Sequence, residues 1–284
     1  MSSGIYNGLN DGMLNGQNDG LLTGTANGLY SNINNNSLEK ETIKLISVGV
    51  FSSNEIIAVN TLIKSLKSNS LWSSLNAIYP FVGGTAITHK WNLKNPQDTT
   101  AAFRLAFSGS WTHSSTGALP NGVNAYADTY YSTTTNAAQD ASSMGIYLRT
   151  NTDGAKVDMG AWISNSNSSQ ILAKFSNTLY GAINSVGLGN TTSNTSSTGF
   201  YIVSRTGTNA GTVAKNTTQI NLTETSVAHT NTIYLGARNN SGTAFAYSDR
   251  EIAFAFMGTG LTAAQCTTLY TIVQTYQTTL GRQV

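Results

Sequence analysis

Nine short runs, "AIYPFV", "AAFRLAF", "MGIYLRT", "KVDMGAWI", "QILAKFS", "TLYGAIN", "GFYIVSR", "NTIYLGA" and "REIAFAFM", follow one another between residues 76 and 258. No other feature of the chain constrains its fold so tightly. Each run is apolar or alternating, and clusters such as "NTDG", "TGTNAG" and "NNSGT" punctuate them as turns. Many strands with no helices between them imply a mainly β protein, a sandwich or a barrel.

Helices are expected on both flanks. Ser52 and Glu55 have capping-box spacing, and Ile56, Val59, Ile63 and Leu66 recur at steps of three and four. This predicts a helical connector over residues 37–75, with one greasy face that packs on its own domain or serves a subunit interface. Near the other end, Thr262 and Gln265 repeat the capping-box spacing. Leu269, Ile272, Val273, Tyr276 and Leu280 then mark a face that Gly281 ends. The strand region and this last helix form one expected domain, residues 76–284.

Ahead of both lies "GIYNGLNDGMLNGQNDGLLTGTANGLYSN", where glycine stands at every fourth position from Gly4 to Gly28. A helix here would cost up to about 1 kcal/mol per glycine. Asn-Gly and Asp-Gly steps favour tight turns with positive φ. Leu9, Met13, Leu21 and Leu29 each follow a glycine directly, so an apolar stripe keeps phase with the turns. A flexible linker is the competing reading, but linkers do not usually hold such a stripe in register. A single strand cannot bury it. Residues 1–36 are therefore expected to be an attachment segment that wraps sister chains, as in a trimer, or lies in a groove of another protein.

Only 10% of the residues are charged, and the formal net charge is +2. Asn, Ser, Thr and Gly fill the deficit, and no stripe of Lys or Arg could track phosphates, so nucleic acid is not an expected partner. The start has no export signal and no run reaches the length of a membrane span, so membrane insertion is not expected. Cys266 is the only cysteine, which excludes a disulfide within the chain. His89, His113 and His229 lie far apart, without metal-ligand spacing.

The stretches "PNGVNAYADT" and "GLTAAQCTTLY" resemble the early and late signatures of laminin G-like domains in the concanavalin A-like lectin and glucanase superfamily. Gln265 stands where many members carry Glu. The resemblance covers roughly residues 76–275 and implies a jelly-roll β-sandwich. Some of these domains hold calcium, which would make Asp128 a candidate ligand; calcium needs six to eight oxygens, and one carboxylate does not supply them. No other cofactor is expected. A second resemblance spans the whole chain. The Gly/Asn-rich start, the block "IYPFVGGTAITHKWNLKNPQDTTAAFRLAFSGSWTHSSTGALPNG" and the ending "YTIVQTYQTTLGRQV" are similar to virion proteins of tailed phages that infect Bacteroidota, including crAss-like phages. It implies a fibre, decoration or appendage protein on a virion, assembled in a host cytoplasm, released by lysis and partnered by capsid or tail proteins.

Catalysis is not expected. The glucanase run Glu-x-Asp-x-x-Glu is absent, and Asp249 with Glu251 is its nearest approach. Recognition of a host surface glycan fares better, because a sugar needs an aromatic face and hydrogen-bonding groups. Trp111, His113, Tyr126, Tyr130, Tyr131 and Trp162 supply rings, and the loop at 185–197, including Asn194, supplies amides and hydroxyls. Trp111 and Tyr126 also fit the core, and Trp162 alternates with Met159 in a way that fits burial. Tyr130 and Tyr131 stand out because adjacent residues of a strand cannot both face inward. The expected ligand-binding set is Tyr130, Tyr131, Asn194, Trp111 and His113. The alternatives are a polysaccharide-degrading enzyme and a purely architectural decoration protein.

Two outcomes test the division at residue 36. A chain of residues 37–284 should unfold in one cooperative calorimetric transition, because its apolar runs lie downstream of the register. Replacing Leu9, Met13 and Leu21 with Ser should leave that transition unchanged and block incorporation into particles. Normal incorporation, read by mass spectrometry of purified particles, would reduce the register to a spacer.

Overall fold

The computed structural model describes residues 38–284. The glycine register, with Leu9, Met13, Leu21 and Leu29, lies outside the described residues. Helix α1 (Lys40–Ile46) is followed by α2 (Ser53–Ser68). Ser52 caps α2 as the spacing predicts: its side chain accepts from the Glu55 amide, and the Glu55 carboxylate accepts from the Ser52 amide. Lys67 of α2 bridges Glu39 and Glu41 at 2.6 and 2.7 Å, pinning α1 alongside. A short α3 (Ala86–His89) and the C-terminal α4 (Ala263–Thr279) complete the helices. The predicted Thr262–Gln265 capping box is present on α4.

The strands form two sheets. In the first, β13 (Thr218–Asn221), β12 (Ala210–Lys215), β11 (Gly199–Gly207), β6 (Ser142–Leu148), β17 (Ile252–Gly258), β4 (Gly117–Pro120) and β3 (Trp111–Ser114) lie side by side. Strand β1 (Leu75–Tyr79) also pairs with β17. The second runs β10 (Asn190–Ser193), β9 (Thr178–Ser185), β8 (Asn167–Phe175), β7 (Met159–Ser164), β14 (Tyr234–Leu235), β5 (Tyr126–Asp128) and β2 (Ala106–Ser108). A hairpin of β15 (Arg238–Asn240) and β16 (Thr243–Phe245) adds to it, with β15 parallel to β7 and every other pairing antiparallel among the described residues. The fold is a β-sandwich with flanking helices, as expected.

The two sheets are buried differently. Met144, Ile146, Tyr201, Val203 and Met257 of the first sheet meet Met159, Ile171, Leu179 and Ile183 of the second in one inner core. The opposite face of the first sheet presents Ile78, Tyr147, Phe200, Ile202, Phe254 and Phe256 to a second cluster. That cluster is filled by Val59, Ile63 and Leu66 of α2 and by Leu269 and Val273 of α4. Strands covered on both sides read as continuous apolar runs, and "IAFAFM" on β17 is buried at every position. The connector expected over 37–75 is thus a layer of the packed body, and β1 begins at Leu75, within it. The loop expected over 185–197 contains β10, a polar edge strand.

Loops at one end of the sandwich are tied to a buried ion pair. Arg250 and Asp158 are both 0% exposed, with Arg250 Nη1 at 3.0 and 2.9 Å from the two carboxylate oxygens. Arg250 also donates to the carbonyls of Thr152, Lys156 and Lys174, while Asp158 accepts from the Ala173 amide and the Ser248 hydroxyl. Every strong donor and acceptor of the pair is used, which burial of two charges requires.

Two stability predictions follow from these buried groups. Asp158→Asn should cost roughly 3–5 kcal/mol in denaturant unfolding, because it leaves Arg250 charged and unpaired in the interior. The second concerns pH. Burial holds His89 and His229 neutral, lowering them from 6.5 to about 3 and about 4. Below pH 6.5 the unfolded chain therefore binds more protons, and each histidine should remove up to about 1.4 kcal/mol per pH unit on acidification. Asp128 and Glu224, raised by burial, act in the opposite sense in the acid range. A difference measurement isolates the imidazole: His229→Gln should melt with a shallower loss of stability between about pH 6.5 and 4.5 than the natural chain.

Candidate functional site

Helices α2 and α4 cover the outer face of the first sheet, which leaves the outer face of the second to meet a ligand. A groove of about 240 Å³ opens there. Ile171 and Ala173 of β8 point into the core, so Gln170 and Leu172, one place out of phase, line the groove with Tyr180 of β9. Ala155 and Val157 line it from the segment that the Asp158–Arg250 pair anchors, and the Val157 amide donates to the Ala246 carbonyl at 2.8 Å. Phe175 and Phe245 also line it, and they are the exposed phenylalanines of the described residues, at 40% and 56%. Exposed apolar surface gathered in one concavity marks a binding site more strongly than scattered residues do.

Two polar groups in this apolar setting have unmet hydrogen bonds. Gln170 is 2% exposed; its Nε2 donates to the Leu188 carbonyl at 3.3 Å, and its Oε1 is buried without a partner. Leaving such an acceptor unpaired costs roughly 1–3 kcal/mol, which a ligand hydroxyl would recover. Arg238 comes from the β15–β16 hairpin. Ser241 and Gly242 take φ of 51° and 95°, the left-handed pair that a two-residue turn needs, and they set Arg238 directly across from Phe245. The guanidinium carbon lies 4.2 Å from the Trp162 ring centroid and 5.3 Å from that of Phe245, and its Nε has no partner. The chain turns into this hairpin at Gly236, φ +76°, where a Cβ would stand 2.8 Å from Trp111 Cη2.

Other depressions are larger but chemically satisfied. One of about 500 Å³ includes Ser52 and Glu55, whose carboxylate oxygens already accept from the Ser52 and Gly83 amides. Another, of about 360 Å³, includes Asn194 and Lys215, which bond to one another. A third, of about 390 Å³, lies near Thr212 and Thr262, and its lining holds no buried polar atom without a partner.

The ligand-binding residues expected from sequence do not line the groove. Tyr131 is 0% exposed: its ring meets Phe103 edge-on at 5.1 Å and its hydroxyl accepts from Asn76. The parity argument presupposes a strand, which the chain has left by then; Tyr130 is half-buried and sits at φ +56° with its ring 5.6 Å from Arg104. Asn194 is 4% exposed and spends its amide on the Ala173 carbonyl, the Tyr201 hydroxyl and Lys215. Trp111 donates to the Ser108 and Tyr126 carbonyls and supports the turn at Gly236. His113 bonds His89 through facing Nδ1 atoms at 2.9 Å, and burial lowers its pKa. Tyr131, Asn194, Trp111 and His113 thus spend their polar groups within the fold.

Asp128 turns one oxygen onto the Tyr130 amide at 2.8 Å and is also bonded by Thr232, while burial raises its pKa. No group of three or more His, Cys, Asp or Glu side chains gathers there or elsewhere among the described residues. Asp128 alone supplies at most two of the six to eight oxygens that calcium takes. Asp249 and Glu251 are both engaged as well: Asp249 pairs with Lys156 and Thr152, and Glu251 with Arg149 and Thr116. Trp162 is buried, at 9%, but three places from Met159 it takes the opposite face of β7 and lies under Arg238. Gln170, Tyr180, Phe245 and Arg238 are the residues that sequence reasoning missed. The one legible signal was the "RNNSGTAF" hairpin, whose turn pairs Arg238 with Phe245.

Among the described residues no helix is long and apolar enough to cross a membrane. No protein-family model matches the chain, and no match was found among curated proteins. Solved structures do resemble it. Domain 4 of a GH43 extracellular arabinanase from Geobacillus stearothermophilus, in complex with arabinotriose, aligns at a TM-score of 0.45 and 14% identity, covering 69% of this chain and 98% of that one. A Trypanosoma rangeli sialidase variant with trans-sialidase activity aligns at 0.49 and 9% identity, over 78% of this chain and 39% of its own. The binding domain of botulinum neurotoxin serotype D aligns at 0.45 and 10% identity, over 70% and 51%. At these scores no residue role is carried over from them.

Proposed function

We propose that the protein binds glycans through the groove on the outer face of its second sheet, and that it does so as a displayed component of a phage particle. The observation that carries the binding reading is the buried, unpaired Gln170 Oε1 in a concavity lined by Tyr180, Phe175 and Phe245. A pyranose offers what this arrangement lacks: an apolar C–H face to lie on the rings and hydroxyls to donate to the amide oxygen. None of the lining residues is Asp or Glu, and hydrolysis of a glycosidic bond by the usual route needs two carboxyl groups flanking it. Binding without cleavage is the reading these features support.

The setting rests on the sequence. The tetrad register is the attachment segment, which engages capsid or tail proteins and sister chains in a trimer, and the sandwich faces outward to a host surface glycan. Arrays of host surface polysaccharides, with reducing-sugar assays alongside, test this. Tyr180→Ala and Phe245→Ala should each weaken binding about tenfold, or about 1.4 kcal/mol by calorimetry, with Tyr130→Ala unchanged. Release of reducing ends that disappears when a carboxylate is changed to its amide would overturn the reading in favour of a hydrolase.

A further inference from the structure

Arg238 differs from every other arginine of the chain. Arg104 pairs with Asp98, Arg149 with Glu251 and Arg250 with Asp158. Arg205 is fully buried and spends its guanidinium on the Ile183, Thr208 and Glu224 carbonyls and the Ser185 hydroxyl. Arg282 does the same with the Pro80, Phe81 and Ala253 carbonyls and Gln277. Arg238 has none of these: among the described residues no carboxylate or carbonyl takes its N–H groups, and its Nε is buried without a partner. Two rings lie against it, Trp162 at 4.2 Å and Phe245 at 5.3 Å, so the N–H edge of the guanidinium is the part left for a ligand. That edge is the donor fork that matches a carboxylate with two parallel hydrogen bonds.

Resting on the glycan reading above, we infer that the groove selects acidic sugars, residues bearing a carboxylate such as hexuronic or sialic acids, with Arg238 as the carboxylate-binding group beside Gln170. The fold supplies a cation with no counter-ion in an apolar lining, where a ligand's charge meets less screening than at an open surface. A neutral sugar leaves that cation unpaired. An acidic one completes it while its hydroxyls reach the Gln170 oxygen.

The test uses the full chain and an array of neutral, uronic-acid and sialic-acid oligosaccharides, followed by calorimetry on matched pairs: trigalacturonate against galactotriose, and sialyllactose against lactose. At least one acidic member should bind about tenfold or more tightly than its neutral partner, as a charge-assisted pair supplies. That advantage should shrink as salt rises from about 50 to about 500 mM. Arg238→Gln should abolish the discrimination while retaining weak binding to neutral sugars. Should that variant melt far below the natural chain, Arg238→Lys keeps the charge and loses the fork, and it should keep only part of the preference. Equal binding of acidic and neutral partners, or discrimination that survives Arg238→Gln, would overturn the inference and leave glycan binding standing. Failure to bind either class would overturn both.

Discussion

The Asp158–Arg250 pair is the contact on which the shape of the second sheet's outer face depends. Two full charges with no exposure are tolerable only because each is bonded several times, and those bonds reach separate parts of the chain. Arg250 draws the carbonyls of 152, 156 and 174 together, so the segment before β7 is laid against β8. The Asp158 carbonyl in turn accepts from the Gly236 amide, and the Gly236 carbonyl accepts from Ser248, which ties in the turn ahead of the Arg238 hairpin. Both sides of the groove are therefore referenced to one ion pair. Arg205 and Arg282 do comparable work elsewhere with loop and strand-end carbonyls as their acceptors, so long loops are held without a disulfide within the chain.

Unequal burial of the two sheets leaves one outer face open. Covering one face of the first sheet with α2 and α4 removes that face from the solvent and stabilises the body by about 25 cal/mol for each Å² of apolar surface withdrawn. The second sheet keeps one face for the core and gives the other to loops and hairpins. Loops held by a rigid scaffold are where recognition usually sits. Here the hairpin β15–β16 carries the cation and one ring, while the sheet itself supplies Gln170 and Tyr180. The mixture is favourable: the polar acceptor is fixed by strand geometry, and the charged donor is packed against two rings.

How much of this was legible follows from what a pattern can express. Strands with a buried face announced themselves, and the runs around β6, β8, β9, β11 and β17 were read close to their true limits. Both capping boxes were legible because the whole motif is local. The edge strands "NTTS" and "TQIN" were missed, since an exposed polar strand has the composition of a loop. Tyr131 lies in the core rather than at the surface because the parity rule presupposes a strand, and the chain turns at the left-handed Tyr130. Arg238 was beyond sequence reasoning for a different reason. What distinguishes it is a missing counter-ion, a property of everything around it in space.

The distribution of charge also bears on the choice between recognition and hydrolysis. With thirteen acidic residues in the chain, the use made of each one matters. Asp249 and Glu251, the nearest approach to the glucanase run, are bonded to the cations Lys156 and Arg149, and Asp158 is bonded to Arg250. A general acid must hold a proton near neutral pH, which requires an apolar surrounding or a like charge beside it. A neighbouring cation acts in the opposite direction, and Asp249 is indeed held below the usual carboxylate range against the effect of its own burial. These acids serve as staples for the loops. Their engagement there leaves Arg238 as the charged residue of the groove's lining, the feature on which the proposed binding of an acidic sugar rests.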